Sequence, residues 1–464
     1  MTAPLAIIVE AVRSRLWPLP VVAVAVATVG GVLLPRLDAS VDATLEPWVT
    51  DLVFAGDAGA ARTVLDAVAG SLITVTSLTF SLTVVTLQLA SSQFSPRLLR
   101  TFTSDVFVQA TLGIFLATFT YSLTVLRTVR SPDAALPEFV PRLSVTMAFL
   151  LAVGSVVTLV VFLAHLAQQI RIETMLRDVH VGASATLQAT LGRGAPGHSA
   201  HRRGATEPAG TPKREVPPSR PAGALVVRAP SSGFLVRIDE QGLLGICLDL
   251  GLVLEIDRPV GSSLVDGTPL GVAWPLVDAD GSSPGSLESV ASLGNRVANA
   301  VHIGFERTAA QDIGFGLRQL TDVANKALSP GINDPTTAVH SLGHISALLC
   351  ELADHDLGPV IVVDDERRVR VVVHRPALAD LVELSIAQPR RYGAADPQVV
   401  DRLFQLLDEL AWRFPSDHRP VVRVQLSRLV SAVAAQEFDP HERARFAEAA
   451  DRVRKRLADA GHLL

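Results

Sequence analysis

The chain has 464 residues, a formal net charge of -5 and a mean hydropathy of +0.35. The slight acidity gives no general electrostatic reason to expect nucleic-acid binding. Two cysteines, Cys247 and Cys350, exclude a disulfide framework and a multi-cysteine metal site.

Four stretches without Asp, Glu, Lys or Arg fill the first third: Leu16 to Pro35, Ala67 to Pro96, Val106 to Leu126 and Leu143 to Ile170. Each reaches the roughly 20 residues that a helix needs to cross about 30 Å of hydrocarbon. A soluble core helix carries charge on its outer face. The pattern therefore predicts transmembrane helices near 17–37, 65–92, 106–128 and 143–170, within a domain spanning 1–180. Arg13 and Arg15 precede the first run as in a signal peptide. The run ends in Leu33-Leu34-Pro35-Arg36 without a small-x-small cleavage pattern, so a retained helix is expected.

Four crossings place both termini on one side. Arg13, Arg15, Arg97, Arg100, Arg171 and Arg177 flank the helices there, against Arg36, Arg62, Arg127, Arg130 and Arg142 opposite. This near tie leaves the positive-inside rule undecided. The large charged carboxyl-terminal part has no cleavable export signal, and its thiols are unpaired. Cytoplasmic termini in a bacterial inner (plasma) membrane are the expectation.

From Arg193 to Gly223 the chain is Pro, Gly, Arg, His and Ser with almost no large apolar residue, which predicts a flexible linker. Residues 224–280 hold short strand-like runs (Leu225-Val226-Val227, Gly233 to Ile238, Leu252 to Ile256) separated by turn signals such as Glu-Gln-Gly and Pro-Val-Gly-Ser. They predict a small β-barrel or sandwich. Residues 286–464 predict a helical domain with a β-hairpin at 359–374. One amphipathic pattern spaces Phe305, Ile313, Leu317, Leu320, Ala324 and Leu328. Another helix should follow Asp334-Pro335, and three more should lie near 396–413, 418–436 and 440–459. The fold class is thus a four-helix transmembrane domain plus a cytosolic α+β region.

The second apolar run is the unusual one. At 100° per residue, Thr74, Ser77, Ser81, Gln88, Ser92 and Ser95 share one face, and Thr76, Thr79, Thr83, Thr86 and Gln93 share the opposite face. Small hydroxyl residues permit close helix packing and bond back to their own carbonyls. Alternatively, one stripe lines a water-filled path in which hydroxyls replace part of a hydration shell. Thr74, Ser77, Ser81, Gln88 and Ser92 are the pore-lining candidates. His165, near the end of the fourth run, is the one ionisable group deep in these stretches. It is either a proton relay or a boundary residue facing headgroups.

In the soluble part the densest polar stretch runs from Gly304 to Ala338. Glu306, Arg307, Asp312, Ser329, Asn333 and Asp334 are its candidate ligand or anion-binding residues. Pro330 and Gly331 stop one helix, while Asp334 and Pro335 suit the N-cap and first position of the next. That punctuation makes either a plain helix–turn–helix corner or a helix start whose amides hold an anion. His340 and His344 stand four apart, but no Glu follows His340 as in a zinc-protease helix, so no metal site is assigned. No catalytic residues and no cofactor are expected. The expected partners are membrane lipid and further copies of the chain.

Three segments together suggest a family. They are Ser77 to Ser81 with Leu87-Gln88-Leu89-Ala90-Ser91-Ser92-Gln93-Phe94-Ser95-Pro96-Arg97, Leu112 to Phe119, and Ala327-Leu328-Ser329-Pro330-Gly331-Ile332-Asn333-Asp334-Pro335-Thr336-Thr337-Ala338. The chain resembles the bacterial membrane proteins grouped as domain of unknown function 2254, over about residues 10–430. The Pro- and Arg-rich segment near 193–222 departs from that pattern as an expanded loop. The resemblance implies a membrane protein and brings no activity or site residues. The expected function is an oligomeric channel or pore-type transporter with a cytosolic assembly or gating domain. The alternative is a membrane-anchored sensor or scaffold that binds a ligand or protein through that domain.

Overall fold

A computed structural model describes residues 17–41, 53–93, 105–131, 138–169, 171–192, 217–276 and 289–459. The chain divides into two compact units, Met1–Thr174 and Met175–Leu464.

The first unit contains α1 (Pro18–Val41), α2 (Ala58–Gln93), α3 (Val106–Leu126) and α4 (Arg142–Gln169). All four are long and apolar enough to cross a membrane. α3 packs against each of the other three and is the most enclosed. Within one copy the enclosed helix is therefore α3 and not α2. Ala58, Ala61, Leu65, Tyr121, Val125, Val145 and Ala148 form an apolar cluster at one end, and Val108, Leu112, Phe162 and Leu166 form another.

Polar contacts join the helix ends at the first cluster. Asp38 accepts from the Leu143 and Ser144 amides, both at 2.9 Å. Glu138 accepts from the Ala58 amide at 2.9 Å, and the Tyr121 hydroxyl donates to the Ser144 carbonyl at 3.2 Å. The end of α1, the start of α2, the end of α3 and the start of α4 therefore meet. This is the up–down arrangement expected of four successive antiparallel helices.

The second unit takes in α5 (Ile172–Leu191) from Met175 onward. Its strands are β1 (Leu225–Arg228), β2 (Gly233–Ile238), β3 (Leu252–Ile256), β4 (Ser263–Leu264), β5 (Pro269–Pro275), β6 (Val301–Gly304), β7 (Val360–Val363) and β8 (Val369–Val373). They form a five-stranded sheet, β1-β5-β3-β8-β7, and a three-stranded sheet, β4-β2-β6. Neither closes into a barrel among the described residues. The expected hairpin β7–β8 belongs to the same sheet as β3, because β8 runs parallel to β3 with Glu255 beside Val372. β3 is buried along its whole length and β8 along nearly all of its own, so both are covered on two faces, and that favours a shared sheet over an isolated ribbon.

Helix α6 (Glu240–Leu250) lies where the sequence suggested a turn. The turn-like Glu240-Gln241-Gly242 forms its first turn, and the caps flank the helix. Asp239 accepts from the Gly242 amide at 3.2 Å, and Gly251 ends the helix at φ 64. Leu243, Ile246 and Cys247 then face a core shared with Leu235, Leu254, Ile256, Leu270 and Val371.

The remaining helices are α7 (Ser289–Ala300), α8 (Phe315–Ala327), α9 (Pro335–Leu352), α10 (Leu378–Gly393), α11 (Pro397–Arg413), α12 (Arg419–Ala434) and α13 (Pro440–Ala458). The last three match their predicted spans closely. α8 starts later than its apolar spacing suggested. Asp312 takes the Gly314 amide at 3.1 Å and bends the chain before the helix begins. Phe305 is left outside it and 93% exposed. The residues of the expected linker that are described, 217–223, hold no helix or strand.

Candidate functional site

The two hydroxyl stripes of α2 have different environments. Thr76, Thr79, Thr83 and Thr86 are buried within the first unit. Thr76 donates to the Leu72 carbonyl at 2.6 Å, Thr83 to Thr79 at 2.8 Å and Thr86 to Leu82 at 2.8 Å. This stripe is packing: each bonded hydroxyl is satisfied one turn back, and short side chains let α3 approach.

Thr74, Ser77, Ser81 and Gln88 point the other way and are exposed. Ser92 lies on the same helix, but its side chain is outside the described residues. The helical angles put this polar stripe in the middle of the outer face. Ile73 and Phe80 flank it on one side, and Leu78, Val85 and Leu89 on the other, all exposed. The outer face is thus a polar stripe between two apolar margins.

His165 is not alone. Its Nε2 lies 2.7 Å from Asp105 Oδ2, and the Phe107 ring is 4.6 Å from the imidazole. Asp105 also caps α3 by accepting from the Phe107 amide at 2.8 Å. The sequence reading missed this partner, since the two residues are 60 apart. The one local signal was an Asp immediately before an apolar run, which is a helix-cap pattern.

The six soluble candidates fall into two groups at opposite ends of α8, about 20 Å apart at 1.5 Å per residue. At the amino end, Arg307 Nε is 2.8 Å and Nη2 2.6 Å from Asp312 Oδ2. Burial pushes the Asp312 carboxyl up, and Arg307 and the Gly314 amide counter this only in part. Gly261 stands over the pair at φ +91, where a Cβ would lie 2.3 Å from Asp312 Oδ2. Gln311 completes the corner by pairing with the Ile238 amide at 2.9 Å and the Ile238 carbonyl at 3.2 Å. Arg307 and Asp312 therefore brace the loop internally, and Gln311 holds it against β2. Glu306 is exposed beside Phe305.

At the carboxyl end, Ser329 donates to the Lys326 carbonyl at 2.7 Å, and Asn333 takes a left-handed φ of 50. Asp334 caps α9, accepting from the Thr337 amide at 3.1 Å and its hydroxyl at 2.5 Å. The Thr337 hydroxyl, more than the amides, holds the Asp334 carboxyl below its ordinary range. The amides of this helix start already have a carboxylate.

An open cleft of about 600 Å³ lies among α9, α11 and α13. Cys350, Arg402, Trp412, Arg413 and Arg456 line it. Arg402 pairs with Glu409 at 2.9 Å and Arg456 with Asp408 at 2.6 Å, while Arg456 lies 4.8 Å over the Trp412 ring. Burial, followed by Glu409, pushes the Cys350 thiol up, away from the reactive thiolate.

The family model described as "Predicted membrane protein (DUF2254)" matches residues 13–409. The chain belongs to this family. Uncharacterized proteins of Mycobacterium bovis and of Mycobacterium tuberculosis strain H37Rv are each 35% identical over 458 residues. Each match covers 98% of this chain and 83% of the relative. No solved structure matches. Membership agrees with four apolar helices in one unit, and the printed names carry no activity to transfer.

Proposed function

We propose that this protein crosses the bacterial plasma membrane four times and assembles with copies of itself around a path for ions or small polar solutes. Both termini and the second unit lie in the cytoplasm, and that unit serves assembly or gating. The observation that carries this reading is the exposed stripe Thr74, Ser77, Ser81 and Gln88, set at the depth of an apolar helix. Thr74 already donates to the Gly70 carbonyl at 3.1 Å, so the cost of about 4 kcal/mol or more for an unpartnered hydroxyl in hydrocarbon falls on Ser77 and Ser81. Water in a conduit between copies removes that cost, and the apolar margins of α2 supply contacts to neighbouring copies.

Single cysteines at 74, 77, 81 and 88, with Cys247 and Cys350 replaced by serine, test it. Reaction with a water-soluble maleimide along the whole stripe in membranes supports a conduit. Protection at all four positions assigns the stripe to a dry helix–helix contact and sinks the conduit reading.

The cleft among α9, α11 and α13 favours a second reading, a membrane-anchored sensor that takes a ligand there. It is of ligand size and has a half-exposed indole beside three guanidinium groups. A protected stripe together with saturable ligand binding at Trp412 would favour it.

A further inference from the structure

Strands β3 and β8 are the parallel pair of the five-stranded sheet. A strand's side chains alternate between faces, so Leu254 and Ile256 enter the core while Glu255 and Asp257 take the other face. The register continues beyond β8, where the His374 amide donates to the Ile256 carbonyl at 3.0 Å. This brings His374 beside Asp257, on the same face as Glu255. One ligand atom from each of Glu255, Asp257 and His374 lies within 4.8 Å of the others. His374 Nε2 is 2.7 Å from Glu255 Oε1.

Two properties separate this group from an ordinary surface cluster of acids. The Glu255 side chain is only 8% exposed, on the central strand of the sheet. A carboxylate so placed needs a cation or a proton. The group also already holds a cation of the chain's own. Arg220 Nε lies 2.5 Å from Glu255 Oε2, and its Nη2 bonds Asp257 Oδ1. That cation comes from residues 217–223, a segment with no helix or strand, and its side chain is 44% exposed.

We propose that Glu255, Asp257 and His374 form a site for a first-row divalent cation, Zn²⁺ or Mn²⁺, and that Arg220 competes with the ion for the two carboxylates. The donor set is one imidazole nitrogen and two carboxylates. The nitrogen disfavours Mg²⁺ and Ca²⁺, which take oxygen ligands. Bonds of about 2.0–2.2 Å put two ligand atoms of one ion roughly 3–4 Å apart, close to the spacing present. Two charge-assisted bonds hold Arg220 and no regular structure does, so an ion that satisfies both carboxylates can take its place, and its departure loosens the coil leading into β1. The site is independent of the conduit reading, so either can fail alone.

Purified full-length protein in detergent, treated with chelator and dialysed, tests this by titration calorimetry with ZnCl₂ and MnCl₂. One ion per chain should bind, at least tenfold more weakly in His374→Ala and in Asp257→Asn. Arg220→Ala should bind at least tenfold more tightly than the native protein and become more sensitive to protease next to β1. Both weakening substitutions fall on half-exposed side chains, so folding should survive, as size-exclusion profiles would verify. Absence of binding in both the native protein and Arg220→Ala overturns the proposal. So does binding that His374→Ala leaves unchanged.

Discussion

The carboxylate of Asp38, near the end of α1, caps α4 by accepting both the amide and the hydroxyl of Ser144, at 2.9 and 2.6 Å. Asp38 is 4% exposed, and it sits where the free amides of α4 converge. A charged residue at the edge of an apolar run thus fastens the first helix to the fourth.

Replacing Asp38 by alanine removes the acceptor for two amides and leaves them buried. The expected loss is about 1–3 kcal/mol. Thermal unfolding in detergent should show a lower midpoint for Asp38→Ala. Asp38→Asn, which keeps one acceptor oxygen, should fall between it and the native protein. A midpoint unchanged in Asp38→Ala would mean that the cap contributes nothing to this bundle.

Ser81 and Thr83 lie on opposite faces of α2, so their substitutions should act differently. Ser81→Leu should lower ion flux in reconstituted vesicles severalfold while oligomer size and thermal midpoint persist. Thr83→Leu should destabilise the bundle through overpacking by about 1–3 kcal/mol and so lower the midpoint. Equal flux from native and Ser81→Leu protein would contradict the conduit.

Helix α5 meets α9 through two imidazoles, His180 and His344, with ring centroids 5.1 Å apart. Burial, then the charges of His180 and His340, hold the His344 pKa below its ordinary value. The folded protein therefore disfavours the protonated ring. The resulting stability is fully present above the unfolded value of about 6.5 and is lost as pH falls from there to the folded value. Glu351 lies further along the same contact, bonded to Ser184 at 2.8 Å. The thermal midpoint of the native protein should drop between pH 7.5 and 5.5, and His344→Gln should show a smaller drop. Parallel profiles would remove His344 from the linkage.

Gly316 is where α8 touches α5: a Cβ there would lie 2.3 Å from that of Ala183. Gly316→Val should push the helices apart and destabilise the second unit by a few kcal/mol. Pairing it with Ala183→Gly should restore part of the loss, which would separate a steric cause from helix propensity. No rescue by the pair would rule out this contact as the source.

Local patterns carried part of this. Asp334 and Pro335 announced the start of α9, because a cap and a fixed φ act within one turn. The stretch Glu240-Gln241-Gly242 misled for the same reason. Gly and Asp mark both turns and helix ends, and only the burial of Leu243, Ile246 and Cys247 separates the two. In the candidate stripe, angles along α2 sorted the hydroxyls into two faces correctly, yet both faces looked alike. α3 lies against the threonines, and it made them the inner stripe.

The four apolar helices were determined by the sequence alone, since hydrophobic length is a property of consecutive residues and needs no neighbour. The cap at Asp334 follows equally from chemistry within a few residues. The tertiary structure alone decided that Asp38 meets Ser144, that β8 joins β3, and that Arg220, Glu255, Asp257 and His374 converge. The Asp38–Ser144, Arg220–Glu255 and Glu255–His374 bonds join residues from 35 to 119 positions apart. Contacts at that range come from how helices and strands pack, and no local period or motif records them.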